Sequence, residues 1–567
     1  MNSNEAGTSP LAKRAVTVVD SIEMTRVAGD THYDYVLPYP PLAYFSPDGT
    51  RFVIVLRKGN LQHNANDYSM LMFESAEAFR SPLPQLLVVM SSTSNRDAIQ
   101  RVKWLDNETI TFIGENPNEN PQVYAFSLKT QRLEQLTTHG TPVLDYRLRR
   151  DTGEVIFAAE SPGPAHGRGE DMRQGIAIGD EMLRDIVAGD VGLPRQSDYV
   201  YSVKRGGPEM KLTEKDLSGV EEVHKPREAI QVTREQDLNT PEKLYITDAK
   251  TRKRTLLLDL NPQFAELRFA SAQVITWKVK NGTDARGALY LPCDYEPGKK
   301  YPLVIQTHYF NTDHFLVDGP WGSGYALQAL AGRDFIVAQV GELLPKELFD
   351  KFVNSPDEAP YAMATYEGLI DELDMRGLID RNRVGIFAFS RTVYYVAYTL
   401  THSTYHFAAT ILEDGVDGGY LQYLSYPHLA KGYDEIYRGR PFGGPSSLWT
   451  RNAPGFNLDK VKCPVRIMEH SYAGALQQWE WYSGLRLLRK PVEMVILPNP
   501  ASEEQHLLKK PWERFVSQQG TVDWFCYWLK GEVDHDPEKA KQYERWTQLK
   551  RQYETSSSVT PEMSSAH

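Results

Sequence analysis

The chain has 567 residues, 24% of them charged, and a formal net charge of −11. That length accommodates two domains with separate cores, and an acidic balance without a basic run argues against nucleic acid as a partner. No stretch approaches the roughly 20 apolar residues that span a bilayer. The three cysteines, Cys293, Cys463 and Cys526, have neither metal-ligand spacing nor the pattern of a disulfide framework.

Residues 1–34 read as an N-terminal extension. Lys13 and Arg14 stand there without the apolar core of a signal peptide, so the protein as written is expected in the cytoplasm. A periplasmic or secreted location follows if the true start or a signal peptide is missing. Residues 35–270 are β-rich. Phe45–Leu56 is a turn followed by an extended run, and Val102–Ile113 and Leu144–Phe157 repeat the design. Gln122–Phe126 and Arg132–Leu136 form a strand pair that Lys243–Thr247 and Arg254–Leu258 echo. Strand pairs recurring at about 45 to 50 residues predict propeller blades, with a plain β-sandwich as the alternative. Ser161 to Arg227, rich in Gly, Pro and charge, shows little blade pattern, so the propeller is expected to be short or irregular.

Residues 271–553 change character. The apolar runs Pro302–Gln306, Phe335–Val340, Val384–Phe389, Phe407–Leu412, Pro464–Met468 and Val492–Leu497 alternate with helical patterns, one of them at about 362 to 377. Together they predict a parallel, doubly wound α/β sheet, with its chemistry at the carboxyl ends of the strands. Ser390 ends one such run and a helical stretch follows directly. This strand–turn–helix context displays a nucleophile, although Ala388 and Thr392 replace the glycines of Gly-x-Ser-x-Gly. An ordinary helix N-cap is the competing role for Ser390. Residues 554–567, ending in a Ser-rich tail, read as disordered.

The order Ser, acid, His on this fold selects His506, in the loop after the last strand. The acid is expected just after Pro464–Met468, where Asp is absent. Glu469 is the candidate there, with Glu480 as a later one and a Ser–His dyad as the remaining option. Asp414 and Asp417 read as pocket-lining or turn residues. His308, at the end of the first strand of this domain, suits an oxyanion or substrate contact. A metal set of His402, His406 and Asp414 is rejected because the three fall across a helix end and the next strand. No metal or cofactor is expected.

Leu291–Val304, Asp380–Ile386 and Val522–Gly531 together resemble the prolyl oligopeptidase family of serine peptidases. The resemblance implies an α/β-hydrolase domain behind an N-terminal β-propeller, a peptide substrate, Ser390 as nucleophile and His506 as base. It places the oxyanion hole at the Arg391 N–H and the loop His308–Phe310, including Tyr309. The family's triad aspartate aligns with Ala473, leaving that role without a matching residue. Phe389–Thr392 and Tyr301–His308 are similar to a bacterial branch that includes lasso-peptide isopeptidases. The function expected is peptide-bond hydrolysis through an acyl-enzyme with an atypical or missing acid. The alternatives are a peptide-binding pseudoenzyme, or an esterase or isopeptidase. Arg391 is also expected to set a cation beside the nucleophile.

Overall fold

A computed structural model describes residues 13–29, 41–149, 153–160, 183–188, 199–204, 207–212, 230–280, 282–341, 352–443, 447–499 and 506–558. In the first half, four antiparallel sheets follow one another among the described residues. The first holds Thr25–Val27, Tyr44–Phe45, Arg51–Asn60, Ala65–Glu74 and Gln85–Ser92, and the second Ile99–Trp104, Thr109–Gly114, Gln122–Ser127 and Arg132–Gln135. Val143–Arg149, Glu154–Ala159, Tyr199–Val203 and Glu209–Lys211 make the third, and Ile230–Glu235, Lys243–Asp248 and Arg254–Asp259 the fourth.

Apolar residues join these sheets face to face. Val53 and Met70 of the first meet Trp104 and Phe112 of the second. Ile113 and Val123 of the second meet Tyr146 and Phe157 of the third. Leu244, Ile246 and Leu257 of the fourth pack on Phe52, Ile54 and Phe73 of the first, so the last sheet returns to the first. This is a short β-propeller: four successive sheets with the last packed on the first are what a plain sandwich of two sheets would not produce.

Two parts of the sequence reading change. Strands Tyr199–Val203 and Glu209–Lys211 complete the third sheet from within the segment that showed no blade pattern; the rest of that segment, apart from the helix Leu183–Ala188, lies largely outside the described residues. The described part of the N-terminal segment is built into the fold. Arg14–Ala15 pairs with Leu267–Arg268, Thr25–Val27 pairs with the strand Arg51–Asn60, and Ser21 donates to Gln518 in the second half (2.9 Å). At the other end the helix Ala540–Ser558 enters the tail expected to be disordered, and residues beyond it lie outside the described set.

The second half is an eight-stranded sheet in the order 272–278, 284–290, 336–340, 301–306, 379–389, 409–413, 465–469, 492–496. Its first three neighbours pair antiparallel and the remaining pairs are parallel. Strands buried on both faces read as unbroken apolar runs, which is why the six parallel strands were visible in the sequence, whereas 272–278 and 284–290, with exposed positions between buried ones, were not. Helices Glu358–Met375, Thr392–His402 and Trp479–Leu487 cover one face. Pro511–Phe525 and Ala540–Ser558 cover the other. The architecture is an α/β-hydrolase domain joined to a short propeller.

Gly385 marks how closely a covering helix approaches. A Cβ at this position would lie 2.6 Å from the Phe525 ring and 3.2 Å from Leu529. Gly385→Ala should therefore lower stability by about 1–3 kcal/mol through overpacking, read as a shifted urea midpoint with an unchanged slope.

Candidate active site

The strand Ile379–Phe389 carries its pairing to the last residue, and the chain then turns sharply at Ser390, whose φ is 56°. A left-handed non-glycine backbone is uncommon and holds the side chain out from the sheet. The Ser390 N–H donates to the Glu413 carbonyl (3.2 Å) on the adjacent strand. Gly415 allows this closeness, since a Cβ there would fall 2.1 Å from the Ser390 carbonyl oxygen. The helix Thr392–His402 starts at once, with Arg391 as its N-cap. Its first amides lie beside the serine, where a helix N-terminus favours negative charge.

Thr392 holds this turn with its hydroxyl. Its Oγ1 donates to the Phe389 carbonyl (2.7 Å) and accepts from the Phe389 N–H (3.2 Å) and the Thr307 hydroxyl (2.7 Å). One hydrogen and two lone pairs are all used. The side chain that replaces the second glycine of the pattern thus cross-links the serine turn to the neighbouring strand end.

His506 stands over Ser390. The Ser390 hydroxyl lies 2.8 Å from His506 Nε2, and His506 Nδ1 lies 2.6 Å from Asp414 Oδ2. An ionised carboxylate only accepts, so Nδ1 carries the hydrogen and Nε2 presents its lone pair to the serine. The ring stacks on Phe389 with centroids 4.5 Å apart. It is 51% exposed on its other side, whereas Asp414 is 8% exposed. The result is a hydrogen-bonded relay open to a cavity of about 340 Å³ lined by Ser390, Arg391, Asp414, Gly415, Val416, Gln477 and His506.

The carboxylate on His506 is therefore Asp414, one residue past the strand Ala409–Glu413, where the sequence reading had a pocket-lining or turn residue. It does line the cavity, and its φ of 38° belongs to a turn. Burial opposes the charge of its carboxylate, but His470 and His506 outweigh burial and hold it well below the usual carboxylate range. Glu469 does not reach this role. It is wholly buried, and neither carboxyl oxygen has a hydrogen-bond partner among the described residues. Burial first, and the Asp414 charge next, push its pKa well above the ordinary glutamate range, which disfavours its ionised form. Glu480 lies on the helix Trp479–Leu487 and accepts from the Leu421 N–H (2.6 Å). The signal available in the sequence was an aspartate directly after the strand next to the serine strand, on the rim where the chemistry gathers.

His308 and Tyr309 follow the strand Tyr301–Gln306, beside the serine strand. Their φ values, 80° and 82°, put two consecutive side-chain-bearing residues in left-handed backbone, which costs about 1–3 kcal/mol each. Gln339 Nε2 donates to the Tyr309 carbonyl (2.7 Å) and the Thr307 carbonyl (3.2 Å), and the Tyr325 hydroxyl donates to the Thr307 carbonyl (2.8 Å). Those bonds hold the strained loop. Burial, with the nearby His506 as a lesser cause, lowers the His308 pKa to about 4.

The Arg391 guanidinium is not turned to the nucleophile as a free cation. Its Nε and Nη2 donate to the two Glu358 oxygens (2.7 Å each), and Nη2 also donates to Asn354 Oδ1 (2.8 Å). Glu358 is buried and also takes a short bond from the Tyr395 hydroxyl. A bidentate pair of this kind neutralises the charge locally. Arg391 and Val416 are shared with a second cavity of about 210 Å³, lined further by Tyr394, Tyr433, Leu429 and Ile436. Among the described residues no group of three or more His, Cys, Asp or Glu is arranged to hold a metal, and no helix is long and apolar enough to cross a membrane.

A sheet of this order, a serine on a strained strand-to-helix turn and a propeller ahead of it define an α/β-hydrolase of prolyl oligopeptidase architecture. The chain is similar in sequence to a peptidase of that architecture and in fold to others. Over 336 residues it is 29% identical to the lasso peptide isopeptidase AtxE2 of Asticcacaulis excentricus, a match covering 57% of this chain and 46% of that protein. The chain thus matches about half the length of this curated relative. The solved structure of AtxE2 without ligand superposes with a TM-score of 0.72 at 19% identity, covering 95% of this chain and 100% of that one. The acylaminoacyl peptidase of Pyrococcus horikoshii gives 0.62 at 15% identity, covering 86% and 96%. No protein-family model matches the chain.

Two outcomes test the local physics. His308 ionises at about 4 in the fold against an ordinary 6.5. The unfolded chain therefore binds the proton first as pH falls, and stability declines between pH 6.5 and 4 and not further from this group below that. Denaturation profiles over that interval should be flatter for His308→Asn, since Asn tolerates the left-handed backbone. Thr392→Val, which keeps shape and loses all three bonds, should cost about 1–3 kcal/mol, measured by urea unfolding.

Proposed function

We propose that the protein is a serine peptidase that cleaves peptide amide bonds through an acyl-enzyme. The observation that carries this reading is the relay Ser390–His506–Asp414, with contacts of 2.8 and 2.6 Å. In this mechanism Ser390 Oγ attacks the scissile carbonyl carbon while His506 Nε2 takes the hydroxyl proton. Asp414 keeps the imidazole in the required tautomer and stabilises its charged form. His506 then gives the proton to the leaving amine, and a water, activated by the same nitrogen, releases the acyl group. The Arg391 N–H and the His308–Tyr309 loop are the oxyanion donors of this reading, supported by the helix start and by the neutral state of His308. The second cavity, reached past Arg391 and Val416, offers a tyrosine-rich wall for a substrate side chain.

The reading needs no cofactor and takes a peptide as substrate. A narrower form, hydrolysis of the isopeptide bond of a lasso peptide, is supported by the similarity to AtxE2, whose serine-to-alanine variant has been solved with Astexin3-dC4 bound. The pseudoenzyme alternative rests on Ala388 and Thr392 in place of glycines and on Ala473 in place of the acid; Asp414 on His506 speaks against the last of these grounds.

Fluorophosphonate labelling and peptide-library turnover test the assignment. Ser390→Ala and His506→Ala should abolish labelling. Asp414→Asn should lower kcat by roughly 10³- to 10⁴-fold, while Glu469→Gln should stay within about threefold of the parent. A folded parent that fails to label would refute the peptidase reading, and turnover of activated esters with none of any peptide would replace it with an esterase. Comparing a threaded lasso peptide with its linear counterpart decides the narrower form.

A further inference from the structure

Behind Asp414 lies a second histidine that the relay does not use. His470 is completely buried at the end of the strand Val465–Glu469. Its Nε2 is 2.9 Å from Glu413 Oε1 and its Nδ1 is 3.2 Å from Asp414 Oδ2. That oxygen of Asp414 is the one bonded to His506. Both ring nitrogens of His470 therefore face carboxylate oxygens. A neutral imidazole would turn a lone pair toward one of them, whereas an imidazolium donates to both.

The far side of the arrangement is anchored. Glu413 Oε1 accepts from the Ser517 hydroxyl (2.7 Å) and Oε2 from the Gly324 N–H (3.0 Å). The Asn499 side chain donates to the His470 carbonyl (3.0 Å). With His470 charged, Glu413 and His470 cancel, and the buried group retains the single negative charge that an isolated triad aspartate would carry. The third acid, Glu469, lies against the same group, and burial disfavours its ionised form.

Resting on the relay assigned under the proposed function, we propose that His470 is a positioning residue for the acid: clamped between Glu413 and Asp414, it fixes the Asp414 carboxylate toward His506 Nδ1 and keeps it ionised. It touches neither substrate nor reacting atoms and acts through Asp414. Burial acts against a charge on His470, but Asp414 and Glu413 raise its pKa well above the ordinary imidazole range, which agrees with the geometry.

The test is His470→Gln, whose amide can donate but carries no charge. We expect kcat to fall about tenfold or more with KM within about twofold. The low-field proton resonance of the His506–Asp414 bond, identified by its loss in His506→Ala, should shift or vanish. A merely structural role would lower the melting temperature and leave both readouts of the folded protein in place. Unchanged kcat together with an unmoved resonance would overturn the proposal. If the parent turns over no substrate, the peptidase reading fails, and the resonance alone still decides this one. If His470→Gln does not fold, ¹⁵N-histidine spectra of the parent decide it: both His470 ring nitrogens protonated at neutral pH is the expected result, and one bare nitrogen would overturn it.

Discussion

The contact on which the site depends is that of one oxygen, Asp414 Oδ2, with two histidines at 2.6 and 3.2 Å. A carboxylate this deeply buried is expensive unless its charge is met. The two imidazoles meet it, and each gains something different. His506 is held with its proton on Nδ1 and its lone pair on Ser390. His470 has its own charge bracketed by Glu413 on the other side. The group survives burial because its charges alternate along a line from Glu413 to His470 to Asp414.

That line also fixes the surrounding backbone. Glu413 takes bonds from Gly324 and Ser517, which belong to different elements, and its carbonyl receives the Ser390 N–H. Gly415, two residues on, must lack a Cβ for the serine turn to come so near. Thr392 and Thr307 tie the turn to the strand on its other side. Ser390 and Asp414, both in left-handed backbone, line one cavity, His308 and Tyr309 end the strand beside the serine strand, and the neighbouring hydrogen bonds sustain the strain.

The propeller reaches this site through the His506 segment. Asn66 donates to the Lys509 carbonyl (3.0 Å) and the Trp512 N–H donates to Asn64 Oδ1 (2.9 Å), both within six residues of His506. The Leu508 N–H donates to the Gly322 carbonyl (2.6 Å). His506 is thus carried on a segment held by both domains. The ion pairs of Asp318 with Arg26 and Arg514 add a buried tie between the N-terminal segment and the second half.

The six parallel strands, the helix between them and the serine turn were legible in the sequence, because strands buried on both faces must be continuously apolar and a nucleophile must stand where such a run ends. His506 was legible from chain order alone. Part of the propeller showed through recurring strand pairs, whereas Ala65–Glu74, Gln85–Ser92 and Ile230–Glu235 were not read, nor were Tyr199–Val203 and Glu209–Lys211, which sit in a segment whose composition carries little such pattern. The acid was decided by tertiary structure. Glu469 and Asp414 both end strands of the same sheet, and nothing local distinguishes a carboxylate that will be ionised from one that will be neutral. The difference is the set of charges brought to each by distant segments: two imidazoles outweigh burial at Asp414 and lower its pKa, while none of the described groups bonds Glu469 and burial raises its pKa. Arg391 tells the same story, since the partner that quenches its charge, Glu358, lies 33 residues away in the chain.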